Sequence, residues 1–204
     1  MQTIAIVDYG MGNVRSVQKA LEYVAPNQHC ILTNNPQIIR DSDRVVFPGQ
    51  GAMGACMIAL QSNTLIEEIK FSATSKPFLG ICLGLQLLFD YSEENNGTNG
   101  LSIVPGKVLK FQNSDLKIPH MGWNRVNQVL NHPLWHKIEN NSRFYSVHSY
   151  YVDEEDSNCV VGTSEYGQTF TSAIAFDKLF AVQFHPEKSQ SDGLQLLRNF
   201  TTWN

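Results

Sequence analysis

Apolar positions along this chain follow two rhythms, and the places where one gives way to the other define its elements. Thr3–Val7 is a continuous β-branched and apolar run that predicts a buried strand. After Asp8-Tyr9-Gly10-Met11-Gly12-Asn13, the spacing of Val14, Val17, Leu21 and Val24 predicts a helix. Cys30–Thr33 predicts a second strand, and a polar connection through Pro36 and Asp41-Ser42-Asp43 leads to a third at Arg44–Phe47. Met57 to Phe71 reads as one helix with Leu60, Leu65 and Ile69 inward and Glu67, Glu68 and Lys70 outward. A fourth strand runs through Phe78-Leu79-Gly80-Ile81 to Cys82, and Leu85, Leu88 and Phe89 give the face of a helix after it. Right-handed crossovers make such strands parallel, with their carboxyl ends on one edge of the sheet.

The rhythm then changes. Tyr91 to Gly100 is polar and reads as a solvated loop. Short alternating runs at Val104–Phe111, Trp123–Val129, Arg143–Tyr151, Cys159–Thr163 and Phe170–Phe176 predict antiparallel hairpins added to the parallel sheet rather than a second domain. Leu179–Phe184 is another buried strand, and Asp192–Phe200 closes the chain as a helix with Leu194, Leu197 and Phe200 as its stripe. The fold class expected is α/β: a mostly parallel central sheet flanked by helices, with added antiparallel strands, residues 1–204 forming one domain.

Composition narrows the function. The 204 residues are 42% hydrophobic, enough for a full core without staples. A net charge of -4 with no Lys/Arg run argues against nucleic acid, and no apolar run approaches a membrane span. The chain enters its first strand with no charged n-region or cleavage site. Cys30, Cys56, Cys82 and Cys159 form no C-x-x-C pair, and His132 and His136 are separated by Pro133 without a matching Glu, so no metal site is expected. A reducing cytoplasm fits this cysteine usage and would keep a reactive thiol free.

One stretch carries candidate chemistry. Gly80-Ile81-Cys82-Leu83-Gly84 is the thiol version of the nucleophile elbow, in which residues without a Cβ allow a sharp strand-to-helix turn. The sulfur then sits where the unpaired N–H groups of a helix start favour an anion. A buried, inert cysteine between two packing glycines has the same spacing. Pro48-Gly49-Gln50-Gly51 follows the third strand and is either an oxyanion loop or an ordinary strand-to-helix turn. Gly10-x-Gly12 lacks the third glycine of a dinucleotide fingerprint, since Arg15 stands there, and reads as a tight turn. His185-Pro186-Glu187 at the end of the last strand offers a base and an acid from one loop, although a lone strand-end histidine also serves structure. In the catalytic reading Cys82 attacks a carbonyl carbon, His185 protonates the leaving amine and later activates water, and Glu187 holds the imidazolium. His29, His120 and His148 carry no ligand spacing.

Gly80 to Leu88 together with His185-Pro186-Glu187 resembles the class I, triad-type glutamine amidotransferases, whose fold is flavodoxin-like. Asp8–Asn13, Pro119–Asn124, Phe144–Tyr151 and Gln183–Ser189 narrow the resemblance, over essentially the whole chain, to the branch that serves histidine biosynthesis. The resemblance implies hydrolysis of glutamine to glutamate and ammonia through a thioester on Cys82, with no cofactor. It implies oxyanion donors at the N–H of Leu83 and of the loop Gly49, Gln50 and Gly51. Gly51, Gln86, Ser149 and Tyr150 match positions that hold the amino acid part of glutamine. Asn13, Trp123, Tyr145 and Lys188 match positions that meet a (β/α)₈-barrel synthase subunit in a heterodimer. Ammonia passed to that barrel would yield imidazole glycerol phosphate and aminoimidazole carboxamide ribotide. Two positions depart from the family pattern: Gln50, where a small aliphatic residue is frequent, and Ser146, where an aromatic is common. The triad itself is shared by paralogous glutaminases that feed sugar-aminating synthases in surface polysaccharide biosynthesis. Stress proteins and peptidases of the same α/β type share the elbow cysteine.

Overall fold

Unbroken apolar runs that are buried on both faces belong in the middle of a parallel sheet, and in the computed structural model, which describes residues 2–112 and 116–204, that is where they lie. The first half alternates β1 (Thr3–Val7), α1 (Val14–Val24), β2 (His29–Thr33), α2 (Pro36–Asp41), β3 (Arg44–Gly49), α3 (Met53–Ser62), α4 (Ile66–Ser75), β4 (Phe78–Cys82) and α5 (Leu83–Gln86). Next come β5 (Phe89–Ser92), β6 (Thr98–Asn99), β7 (Val104–Lys110), β8 (His120–Arg125), β9 (Asn127–Gln128), β10 (Arg143–His148) and β11 (Tyr150–Glu154). The chain closes with β12 (Val160–Glu165), β13 (Thr169–Phe176), β14 (Leu179–Val182) and α6 (Gln190–Thr202).

Among the described residues twelve strands form one sheet with the spine β2-β1-β3-β4-β14-β13-β11-β7-β5-β6, and β12 and β9 extend it from β13. The strands from β2 to β14 are parallel, and β13, β11 and β7 continue antiparallel. β8 and β10 pair in a small sheet of their own. Successive residues of β1 point to opposite cores: Ala5 and Val7 join Phe47, Phe78 and Leu88 on one face, while Ile4 and Ile6 join Leu21, Phe180 and Phe200 on the other. Both cores are needed to bury such a strand. The register sets Gly49 beside Cys82 and Val182 beside Ile81, so β3, β4 and β14 end together at one edge.

The structure corrects the sequence reading in several places. The connection at Pro36 holds a helix, with Asn35 Oδ1 accepting from Gln37 N at 2.9 Å and Pro36 in the first turn. Met57–Phe71 is two helices, broken at Thr64, whose φ is 55°. Glu68 is buried rather than outward. Its carboxylate accepts from Arg40 Nε at 2.7 Å and from Ser72 Oγ at 3.0 Å, and Arg40 lies on the unexpected α2. The helix after Cys82 lasts one turn, because Leu87, Leu88 and Phe89 are all fully buried and no solvent face is left for a longer helix. Carbonyls of Leu87 and Leu88 instead accept from the backbone of Leu101, Ile103 and Val104. Nor is Tyr91–Gly100 a solvated loop, since β5 pairs with both β6 and β7 there. In α6 the buried positions include Leu196, Leu197 and Phe200, with Leu194 only partly covered. No helix among the described residues is long and apolar enough to cross a membrane.

Candidate functional site

Cys82 ends β4 with φ 55° and ψ −108°, a conformation that L-residues avoid at a cost of about 1–3 kcal/mol. The surrounding strands hold it there. A Cβ on Gly84 would collide with the carbonyl of Phe47 in β3, and one on Gly80 would come within 2.9 Å of the Ala181 methyl in β14. The elbow therefore needs both glycines for close approach. Leu83 opens the one-turn helix, so its N–H has no acceptor within that helix and points to the carboxyl edge of the sheet.

β14 delivers the second half of the site. His185 N donates to Tyr145 O at 2.8 Å, and Ser189 Oγ bridges the same two segments, donating to His185 O at 2.6 Å and accepting from Tyr145 N at 2.9 Å. Pro186 begins a 3-10 turn that folds Glu187 back, so that His185 Nδ1 lies 2.9 Å from Glu187 Oε1. A carboxylate only accepts, so Nδ1 carries a proton and Nε2 is the nitrogen left for Cys82. Burial opposes a charge on His185, yet the sulfur of Cys82 on one side and Glu187 on the other outweigh it and push the imidazole up to about 10. The other three cysteines are free and buried, and burial pushes each of them up to about 11, so they remain thiols.

Cys82 and His185 open into a cleft of about 500 Å³. Of the residues singled out from the sequence, Gln50, Gly51, Leu83, Gln86, Ser149, Tyr150, Tyr145 and Lys188 also line it. Gly49 lies beneath, packed so tightly on Tyr9 that a Cβ would reach its hydroxyl at 2.6 Å. The loop is braced from the core: Tyr9 Oη donates to Pro48 O at 3.1 Å and Cys56 Sγ to Gln50 O at 3.5 Å. Because the peptide is planar and trans, the second bond turns the N–H of Gly51 away from the buried thiol. Gln86 spends both amide hydrogens inside the protein, on Tyr150 O at 3.1 Å and Gln183 Oε1 at 3.0 Å, which leaves its carbonyl oxygen to offer a ligand. Trp123 is exposed and edges onto Tyr145 at 6.2 Å, and Lys188 Nζ lies 5.9 Å from the same ring. Asn13, outside the cleft, is exposed and donates to Ser16 Oγ. Ser146 is buried within β10.

Sequence reasoning missed a buried contact of the sulfur and two residues of the cleft wall, Glu94 and His148. Gln183 donates from Nε2 to Cys82 Sγ at 3.8 Å, and its signal was a lone amide inside an apolar strand. Glu94 lines the cleft and accepts from Met53 N at 2.6 Å, and nothing in its polar segment marked it. Among the described residues no three His, Cys, Asp or Glu side chains gather as a metal would require.

The charge on Glu187 can be tested alone. Glu187→Gln keeps an acceptor for Nδ1 but removes the negative charge, so His185 loses one of the groups that raise it. The catalytic turnover is expected to fall by about 10²-fold, the low end of what general acid–base catalysis contributes. The form carrying a proton on both ring nitrogens persists below its pKa and is lost above it, so the alkaline limb of the pH–rate profile is expected near pH 10 in the unmodified protein and at lower pH in the variant. An alkaline limb that does not move would remove Glu187 from the mechanism.

A family model described as glutamine amidotransferase class-I matches residues 5–203. The chain is 54% identical to the imidazole glycerol phosphate synthase subunit HisH of Nitrosomonas europaea, covering 100% of this chain and 99% of that protein. It is 56% identical to the subunit of the same name from Nitrosospira multiformis, with the same coverage. Among solved structures it resembles a chain of PurLQS from Thermotoga maritima, with a TM-score of 0.76 at 18% identity over 99% of this chain and 98% of that one. It also resembles the glutaminase domain of Trypanosoma brucei CTPS, with a TM-score of 0.70 at 17% identity over 100% of this chain and 95% of that one.

Proposed function

Since the chain belongs to the class I glutamine amidotransferases, we propose that it splits the side-chain amide of glutamine with Cys82 as nucleophile, residues 1–204 acting as one catalytic domain. Its function is that of the glutaminase subunit of imidazole glycerol phosphate synthase in histidine biosynthesis, and it works with a partner subunit. Relatives this similar over their full length give no support to the sugar-aminating alternative. The observation that carries the catalytic reading is the elbow sulfur and the Glu187-held imidazole meeting in one cleft at the edge where β3, β4 and β14 end.

The residues supply a complete sequence of steps. Cys82 Sγ attacks the amide carbon while the N–H groups of Leu83 and the Gly49-Gln50-Gly51 loop receive the developing oxyanion, a contribution of about 2.7–4 kcal/mol per donor. His185 gives its Nε2 proton to the departing nitrogen, which leaves as ammonia and breaks the C–N bond. Water deprotonated by the same nitrogen then attacks the thioester, releasing glutamate and restoring the thiol. Glu94 provides the negative charge that a substrate ammonium requires, Gln86 Oε1 accepts from the same group, and Ser149 and Tyr150 line the same cleft.

Trp123, Tyr145 and Lys188 adjoin the mouth of the cleft, and Asn13 lies near the triad from the other side. In this reading they meet a (β/α)₈-barrel synthase subunit that takes up the ammonia, in the cytoplasm. Lys188, three residues after the base, would let an ion pair across that interface act on the triad. The test is glutamate release from glutamine, measured for the chain alone and with its partner. Release is expected to rise on pairing, and a charge reversal at Lys188 to blunt that rise. No glutamate in either case would overturn the proposal.

A further inference from the structure

Three side chains outside the steps above form a run of hydrogen bonds whose direction is fixed from both ends. At one end His148 Nδ1 lies 2.7 Å from the carbonyl oxygen of Tyr150. A carbonyl only accepts, so Nδ1 carries the proton and Nε2 of the neutral ring is an acceptor. At the other end Asn124 Nδ2 lies 3.3 Å from His120 Nε2. The Asn124 amide is oriented independently, since Nδ2 also donates to Glu165 O at 2.9 Å and Oδ1 accepts from Arg125 N at 2.8 Å. His120 Nε2 must therefore accept, which puts the proton on its Nδ1. The rings meet through those two atoms, His120 Nδ1 and His148 Nε2, at 3.1 Å. Deductions from opposite ends thus agree on the bond in the middle.

The surroundings keep both rings neutral. Tyr166 stacks on His120 at 4.0 Å, and Phe111 and Phe170 pack against the pair. Burial pushes His148 down to about 3 and lowers His120 as well. The two histidines are also register partners of β8 and β10, so the bond spans the pair of strands directly. Beyond His148 the connection continues. The Tyr150 carbonyl accepts from Gln86 Nε2, which donates to Gln183 Oε1, and Gln183 Nε2 reaches the sulfur of Cys82.

We propose that Asn124, His120 and His148 are positioning residues for the glutaminase reaction: a one-way run of hydrogen bonds that fixes the Tyr150 carbonyl and, through Gln86 and Gln183, the substrate wall beside the nucleophile. The kinetic role rests on the reaction proposed above, whereas the tautomers do not. Neutral imidazoles suit the task because each presents one donor and one acceptor in a rigid ring, and a proton gained by either would set two donors face to face.

Two measurements test this. In long-range ¹H–¹⁵N spectra of the full chain labelled on histidine nitrogen, both residues are expected to be protonated on Nδ1 and bare on Nε2. In the complex with the partner subunit, His120→Phe keeps a ring to stack on Tyr166 but removes both nitrogens. It is expected to raise KM for glutamine about tenfold with kcat changed by less than about threefold, the pattern of a lost binding geometry. His120→Asn returns a donor at the Nδ1 position and is expected to recover most of the loss. A purely packing role predicts the reverse order, with Phe harmless and Asn damaging, and that order would overturn the proposal. So would either ring protonated on Nε2 in the unmodified chain, a result that needs no variant to fold. Glutamate release together with an Nε2-protonated ring sinks the run alone. No release, with both rings as stated, sinks the glutaminase reading and the positioning role with it.

Discussion

Replacing Cys82 with alanine is expected to cut glutamine-dependent synthesis by about 10⁴-fold or more, while synthesis from added ammonium salts continues at the unmodified rate. Alanine cannot form the thioester, but it is smaller than cysteine and sits in the same tightly packed elbow, so the fold and the partner contact survive. In the proposed division of labour, ammonia supplied from outside bypasses this chain's chemistry and needs only the synthase. The variant also carries its own internal check. Burial is the largest influence on His185 and lowers it, and the sulfur of Cys82 is the first of the groups that raise it. Without the sulfur the imidazole is expected to lose its proton at distinctly lower pH, which a histidine titration reads directly. If both syntheses were lost together, the division of labour between the two subunits would be wrong.

Gly84→Ala is expected to destabilise the protein by about 4 kcal/mol, since the new Cβ meets the Phe47 carbonyl and neither β3 nor the one-turn helix can retreat from it. For a chain of this length that is a loss of about 8–16 °C in Tm. Gly10→Ala gives the contrast: its φ is 86° but nothing lies within 4 Å of the added methyl, so only backbone strain of about 1 kcal/mol is expected. Equal melting temperatures for the two variants would mean that the elbow is not clamped between strands. Scanning calorimetry or far-UV melting of the purified chain decides it.

Much of the site was legible because its signals are local. Glycines two residues on either side of Cys82 already specify a turn with no room for a Cβ, and a His-Pro-Glu triplet after an apolar strand specifies where an imidazole and a carboxylate will emerge together. Parallel pairing then follows from right-handed crossovers, so the loop at Gln50, the sulfur and the imidazole reach one edge without knowledge of any distant contact. Errors fell where a residue's fate is set by a partner far away in sequence. Glu68 looks like an outward helix residue until α2 brings Arg40 to it. Phe89 fits a helix face until the backbone beyond Gly100 pairs with its segment.

The sequence by itself determined the central parallel strands, the elbow, and which cysteine, histidine and glutamate would come together, because those depend on spacing, backbone freedom and apolar rhythm within a few residues. Only the tertiary structure decided that Gln183 would face the sulfur from 101 residues away, that Glu94 would enter the cleft, and that His120 and His148 would share a proton-ordered bond. A buried polar group must find its partner somewhere in the folded protein, and desolvation makes that demand without naming the partner. The choice is made when the strands pack.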